Sequence, residues 1–105
     1  MSEQEVLQFI HTQLSKTFVV ERMILFGSRG RGTAGPDSDY DVLVIANSEI
    51  PFGRRQGEAR IALGRKHFPL DLFVYTPAEA AFEGAIPGST VFFAEKEGKI
   101  FNAQA

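Results

Sequence analysis

Residues 24–45 read ILFGSRGRGTAGPDSDYDVLVI, and the fold follows from how that stretch is parsed. The apolar run before Gly27 predicts a strand over about 22–26, buried on both faces. Gly27-Ser28 makes a turn, Ser28 to Ala34 a short helical turn, and Gly35-Pro36 ends it. A second apolar strand follows over 40–46. Side chains alternate faces along a strand, so Asp39 and Asp41 project together from its first residues toward the Gly27-Ser28 turn. Two carboxylates held close repel and raise each other's pKa. A hard divalent cation with oxygen ligands offsets that, and a Gly-Ser turn suits phosphate oxygens. A metal beside a phosphate cradle reads as phosphoryl or nucleotidyl chemistry.

Upstream, residues 2–17 predict a helix: Ser2 and Glu5 form a capping-box pattern, and Val6, Leu7, Ile10 and Leu14 recur at helical spacing. His11, beside that stripe, reads as a boundary residue. Downstream, a helix over about 53–66 carries Arg54, Arg55, Arg60, Arg65 and Lys66; these could touch nucleic acid, substrate phosphates or an acidic partner, but their alternation with Gly, Ala and Ile reads first as a solvated face. FPLDLFVYT, 68–76, predicts a third strand, with Leu70, Leu72 and Val74 on one face and Asp71, Phe73 and Tyr75 on the other. His67, just before it, reads as structural. Thr76-Pro77-Ala78-Glu79 is a helix start. Ser89 caps a last helix through Glu97, with Gly98 expected in a left-handed C-terminal conformation and an edge strand at 99–102. Phe82, Ile86, Phe92 and Phe93 read as core, with any exposed share available to an interface.

The chain has 105 residues, 44% of them hydrophobic and 23% charged, with a net charge of −2. One domain, 1–105, is expected, of α+β (mixed α/β) class: a small mixed β-sheet with helices packed against it. The charge balance speaks against stable nucleic-acid or membrane-surface binding. No cysteine excludes disulfides and zinc–thiolate sites and fits a reducing compartment, so a cytoplasmic location is expected. MSEQEVLQFI is acidic and amphipathic, unlike a signal peptide. No apolar run approaches the roughly 20 residues of a membrane span.

Asp71 sharpens the site. It interrupts a strand of Leu, Phe and Val, where an unpaired buried carboxylate is costly. Three acids from two strands beside a Gly-Ser turn favour a catalytic site. Ser38 reads as a cap on the start of the acid strand. Three other motifs fail. Gly30-x-Gly32-x-x-Gly35 leaves no room for a crossover helix before Tyr40. Gly27-x-x-x-x-Gly32 is followed by Thr33 where a P-loop requires lysine. Asp37-x-Asp39-x-Asp41 runs into Val42 and Ser48 where a calcium loop needs glycine and glutamate.

Gly27-Ser28, ten residues, then Asp39-x-Asp41 resembles the signature of the nucleotidyltransferase superfamily related to DNA polymerase beta. The run GSRGRGTAGPDSDYDVLV resembles its minimal nucleotidyltransferase (MNT) branch, known largely as antitoxins paired with HEPN toxins. The resemblance extends from about the first helix to the C-terminus. It implies a nucleotidyltransferase fold. It also implies that Asp39 and Asp41 bind two Mg²⁺ ions and that Asp71 completes the metal site and takes the proton of the attacking hydroxyl. Gly27, Ser28, Arg29 and Arg31 would bind the nucleotide. The activity implied is transfer of AMP from ATP to an acceptor hydroxyl, a tyrosine of a cognate HEPN toxin, within a hetero-oligomer. Two alternatives stand beside it: a non-catalytic binding antitoxin, and a subunit acting on a small molecule or an RNA end.

Overall fold

Ser2 starts the first helix as the sequence predicts: its hydroxyl accepts from the Glu5 amide at 3.1 Å, and the Glu5 carboxylate accepts from the Ser2 amide at 2.8 Å. That reciprocal cap satisfies two otherwise orphaned N–H groups and launches α1 (Glu3–Leu14), which buries Val6, Leu7, Ile10 and Leu14. In this computed structural model, residues 1–66 and 68–103 are described; the expectation for His67 lies outside them. His11 is half-buried, its ring 6.4 Å from that of Phe101, a boundary position as expected.

Four strands follow: β1 (Val19–Phe26), β2 (Tyr40–Asn47), β3 (Leu70–Tyr75) and β4 (Lys99–Phe101). They form one mixed sheet in the order β3-β2-β1-β4, with β2 and β3 parallel and the other pairs antiparallel. β1 begins three residues before the predicted start. Val19 and Val20 pair with Asn47 and Ala46 across a register shift at Val20/Arg22. An apolar-run criterion misses this end, because Val19 and Glu21 are exposed there. Between the strands lie α2 (Gly27–Arg31), α3 (Phe52–Leu63), α4 (Pro77–Gly84) and α5 (Thr90–Glu97). Thr76 and Glu79 form a second capping box at the start of α4.

The sheet is buried on both sides. On one face, α1 and α3 close over Met23, Leu25, Val42, Val44 and Val74. On the other, α4 and α5 close over Ile24, Leu43 and Ile45 through Ala80, Val91 and Ala94. The alternation read along 70–75 holds: Leu70 and Leu72 pack with the first cluster, Phe73 and Tyr75 with the second.

Several expectations are overturned. Arg55 is no part of a solvated face: it is 3% exposed. Its guanidinium donates to the Ile50 carbonyl at 2.9 Å, to the Val74 carbonyl at 3.3 Å and to both Glu79 oxygens. Beside it, the Gln56 amide donates to Leu72 O at 2.6 Å and accepts from Val74 N at 3.0 Å. Together they occupy the open edge of β3, which would otherwise offer unpaired backbone groups to another chain. α3 ends at Leu63, three residues early, where Gly64 takes φ 64°. Gly98 is not left-handed but extended, at φ −81° and ψ 168°. Its glycine identity comes from close packing, since a Cβ there would sit 2.3 Å from the Ile24 side chain. Phe82, Ile86 and Phe93 are not core: they are 69%, 42% and 45% exposed, while Phe92 is half-buried. Of the ten phenylalanines, only Phe18 and Phe101 are buried, so the core is mainly aliphatic.

Candidate functional site

β1 delivers its chain end to the same place as the starts of β2 and β3. Phe26, the last residue of β1, pairs with Asp41, and Asp41 pairs with Asp71 across the parallel β2/β3 ladder. Asp41 shares its face with Leu43 and Ile45, and Asp71 with Phe73 and Tyr75, so both carboxylates stand on the α4/α5 side of the sheet. Gly27 follows Phe26 with φ 66°, and a Cβ there would lie 2.1 Å from Asp41 Oδ2. The Asp41 carboxylate therefore fills the space where any other residue would carry its side chain.

Burial pushes the half-buried Asp41 carboxyl above its ordinary value of 3.8. The Asp71 charge adds to the shift, as does Asp71 lying within hydrogen-bonding reach; Asp39, just before the start of β2, adds a further like charge, and Arg31 pulls the other way. Asp39 and Asp71 are exposed. The premise that Asp71 is buried is thus overturned. It lies on an edge strand at the strand's second residue, where solvent reaches it, and the strained carboxylate is Asp41. What would suit this place to a cation is the facing Asp41–Asp71 pair, not burial of Asp71.

That pair suits a hard divalent cation: all its donors are carboxylate oxygens, and a cation would relieve the like-charge shift on Asp41. Among the described residues no group of three His, Cys, Asp or Glu side chains is spaced to hold a metal ion. Two carboxylates are in place, and Asp39, exposed and two residues before Asp41, adds its charge to theirs. Mg²⁺ commonly binds through one or two carboxylates plus water and substrate phosphate, so the residues present fit it.

The nucleotide candidates divide. Arg29 is engaged internally: Nε donates to Ser38 O at 3.0 Å, a terminal nitrogen donates to Pro36 O at 3.3 Å, and the guanidinium stacks 3.9 Å from the Tyr40 ring centroid. It clamps the 32–39 loop onto β2. The Ser38 hydroxyl accepts from Gly35 N at 3.0 Å, which is the structural part expected of it. The Ser28 carbonyl accepts from Thr33 N at 2.9 Å, closing α2. Arg31 meets Glu97 at 3.4 Å in an exposed contact and reaches Asp41 electrostatically.

One feature was not read from the sequence. A cleft of about 260 Å³ opens against Asp71, lined also by Arg60 and Lys66, by Gln56, and by the apolar Leu63, Leu70, Leu72 and Phe73. Its signal was available: only six residues, 64–69, connect α3 to β3, so the basic end of α3 has to lie beside the start of the strand that carries Asp71. A second, more apolar groove of about 410 Å³ lies between Phe52, Tyr75, Phe82 and Glu83. Burial raises the Tyr75 phenol above its ordinary value, with the Glu83 and Glu79 charges adding to the shift.

Residues 5–101 match the family model described as nucleotidyltransferase domain. No curated protein matches the chain. Among solved structures, one described as the crystal structure of a toxin–antitoxin with AMP-PNP superposes with a TM-score of 0.57 at 20% identity, covering 98% of this chain and 75% of that one. At that identity the likeness speaks for the fold alone.

Proposed function

The chain belongs to the nucleotidyltransferase domain family, and from that premise we propose that it transfers AMP from ATP to an acceptor hydroxyl, a tyrosine of a HEPN-type toxin, and so acts as an antitoxin. The observation that carries this reading is the Asp41–Asp71 pair set against Gly27. Asp41 and Asp71, with the charge of Asp39 added to theirs, would hold Mg²⁺, which when bound supplies charge neutralisation for the triphosphate and acidifies the attacking hydroxyl. Gly27 and Ser28 would receive phosphate oxygens beside Asp41, because no Cβ stands between backbone and ligand. Arg31 would meet the triphosphate by exchanging its exposed contact with Glu97. Arg29 would act at one remove, holding the loop that ends at Asp39. The acceptor oxygen forms a bond to the α-phosphorus, the bond to pyrophosphate breaks, and the hydroxyl proton passes to an Asp71 oxygen.

The structural neighbour that is a toxin–antitoxin complex supports a protein partner, as do the exposed Phe52, Phe82 and Phe93. The second reading, an antitoxin that only binds, draws on the absence of a three-acid metal group among the described residues. ATP labelled at the α-phosphate or at the γ-phosphate separates the two when incubated with the chain and its co-expressed genomic neighbour. Transfer of the α-label alone to the partner is expected. No transfer of either label, with the partner still neutralised, would establish the binding-only reading.

A further inference from the structure

Among the described residues, the lysines and arginines whose side chains meet no carboxylate, carbonyl or ring are Arg54, Arg60, Arg65 and Lys66, all on α3 or just after it. Unpartnered positive charge is therefore concentrated on one short segment, in a chain whose net charge is −2. Two of these cations, Arg60 and Lys66, line the cleft against Asp71. The rest of the lining is Gln56, Leu63 and residues from both faces of β3, Leu70 and Leu72 on one and Phe73 on the other.

The strand order gives this cleft a direction. Gly27 follows the end of β1, Asp41 sits on β2 beside it, and Asp71 sits on β3, an edge strand. Phosphate received at Gly27 would place the leaving group toward β1. In an in-line displacement the nucleophile enters from the opposite side, which is past the edge of β3, where the cleft opens.

We propose, on the basis of the nucleotidyl-transfer reading above, that this cleft is the acceptor subsite and that it selects an acidic protein segment. The acceptor hydroxyl rides on an aromatic side chain laid along the outer edge of β3, with Leu70 and Leu72 on one side of it and Phe73 on the Asp71 side, and carboxylates flanking it pair with Arg60 and Lys66. A nucleic-acid strand is the poorer occupant. Regularly spaced phosphates need a continuous basic track, and the next element of the chain, α4, carries no basic residue and has Glu83 in its last turn.

The test measures binding and transfer separately, on the full chain. Fluorescent peptides with a central tyrosine, flanked on both sides by glutamates or by lysines, are titrated by anisotropy at low salt with Mg²⁺ and a non-hydrolysable ATP analogue. The glutamate peptide is expected to bind about tenfold more tightly than the lysine peptide, with the difference shrinking as salt rises. Arg60→Glu with Lys66→Glu is expected to reverse the preference; Arg60→Gln with Lys66→Gln, a milder pair, is expected to abolish it if the first pair fails to fold. Equal binding of both peptides overturns the proposal, as does an unchanged preference in the milder pair. A single-stranded RNA oligonucleotide that binds more tightly than the glutamate peptide and displaces it also overturns it. If the preference holds while no AMP is transferred to any acceptor, the cleft's selection of an acidic segment stands and the nucleotidyl-transfer reading, with the acceptor role, fails.

Discussion

Replacing Gly27 by alanine perturbs the backbone and the acid pair at one atom. At φ 66° an alanine pays roughly 1–2 kcal/mol for the left-handed conformation. The new Cβ would also lie 2.1 Å from Asp41 Oδ2 and 3.0 Å from its Cγ. The carboxylate has to rotate away, at about 1 kcal/mol for leaving its preferred rotamer. The sum, about 2–3 kcal/mol, corresponds to roughly 10 °C in Tm for a domain of this size. Gly32 provides the control: at φ 78° its backbone cost is the same, and nothing lies within 4 Å of a Cβ there. Gly32→Ala should lose about half as much, roughly 5 °C. Thermal unfolding of both variants, with AMP transfer measured on each, separates backbone strain from displacement of Asp41. Gly27→Ala should lose about 10²-fold or more in transfer, and Gly32→Ala no more than a few-fold. Equal losses of Tm, with transfer intact in both, would refute the claim that Gly27 exists to seat the Asp41 carboxylate.

Asp41→Asn should stabilise the metal-free fold at neutral pH. The folded-state pKa is raised, so the stability that protonated Asp41 contributes below pH 3.8 is lost as pH rises through the folded value; the Tm gain should be absent in acid, and a gain that persists there would count against it. Glu79→Gln leaves Arg55 buried without its countercharge and should cost about 3 kcal/mol, read from urea unfolding; a loss under about 1 kcal/mol would show that the Ile50 and Val74 carbonyls suffice. Burial pushes Glu79 up, but the Arg55 and Thr76 hydrogen bonds outweigh it and hold the carboxyl below 4.5. That contribution is complete above pH 4.5 and fades as pH falls through the lowered folded value, so the gap between wild type and Glu79→Gln should close in acid. Phe82→Ser should weaken a complex with the co-expressed partner while leaving Tm within about 2 °C, because the ring is 69% exposed; unchanged elution of the complex would remove α4 from the interface.

Local chemistry made most of the fold legible. Ser2/Glu5 and Thr76/Glu79 announced two helix starts that form as read, and alternation along 70–75 assigned each residue its sheet face. Alternation reports face, not depth, which is why Asp71 looked buried: nothing in LDLFVY says that β3 is an edge strand. Arg55 was misread for a related reason, since the carbonyls of Ile50 and Val74 that receive it come from separate segments. The same limit hid the cleft beside Asp71, which Arg60 and Lys66 come to line only after α3 folds back on β3. Within the site, the sequence placed Asp41 and Gly27 together correctly. It could not show that Arg29 spends its donors on the Ser38 and Pro36 carbonyls.

The most direct measurement is transfer of α-labelled AMP from ATP to the co-expressed partner by wild type and by Asp39→Asn with Asp41→Asn. The double change removes two charges and little volume, so folding and partner binding should persist. Transfer should collapse by well over the ~10²–10⁴-fold typical of losing one acid–base group. Labelling at the wild-type rate by the double variant would contradict the assignment of these carboxylates as the catalytic site.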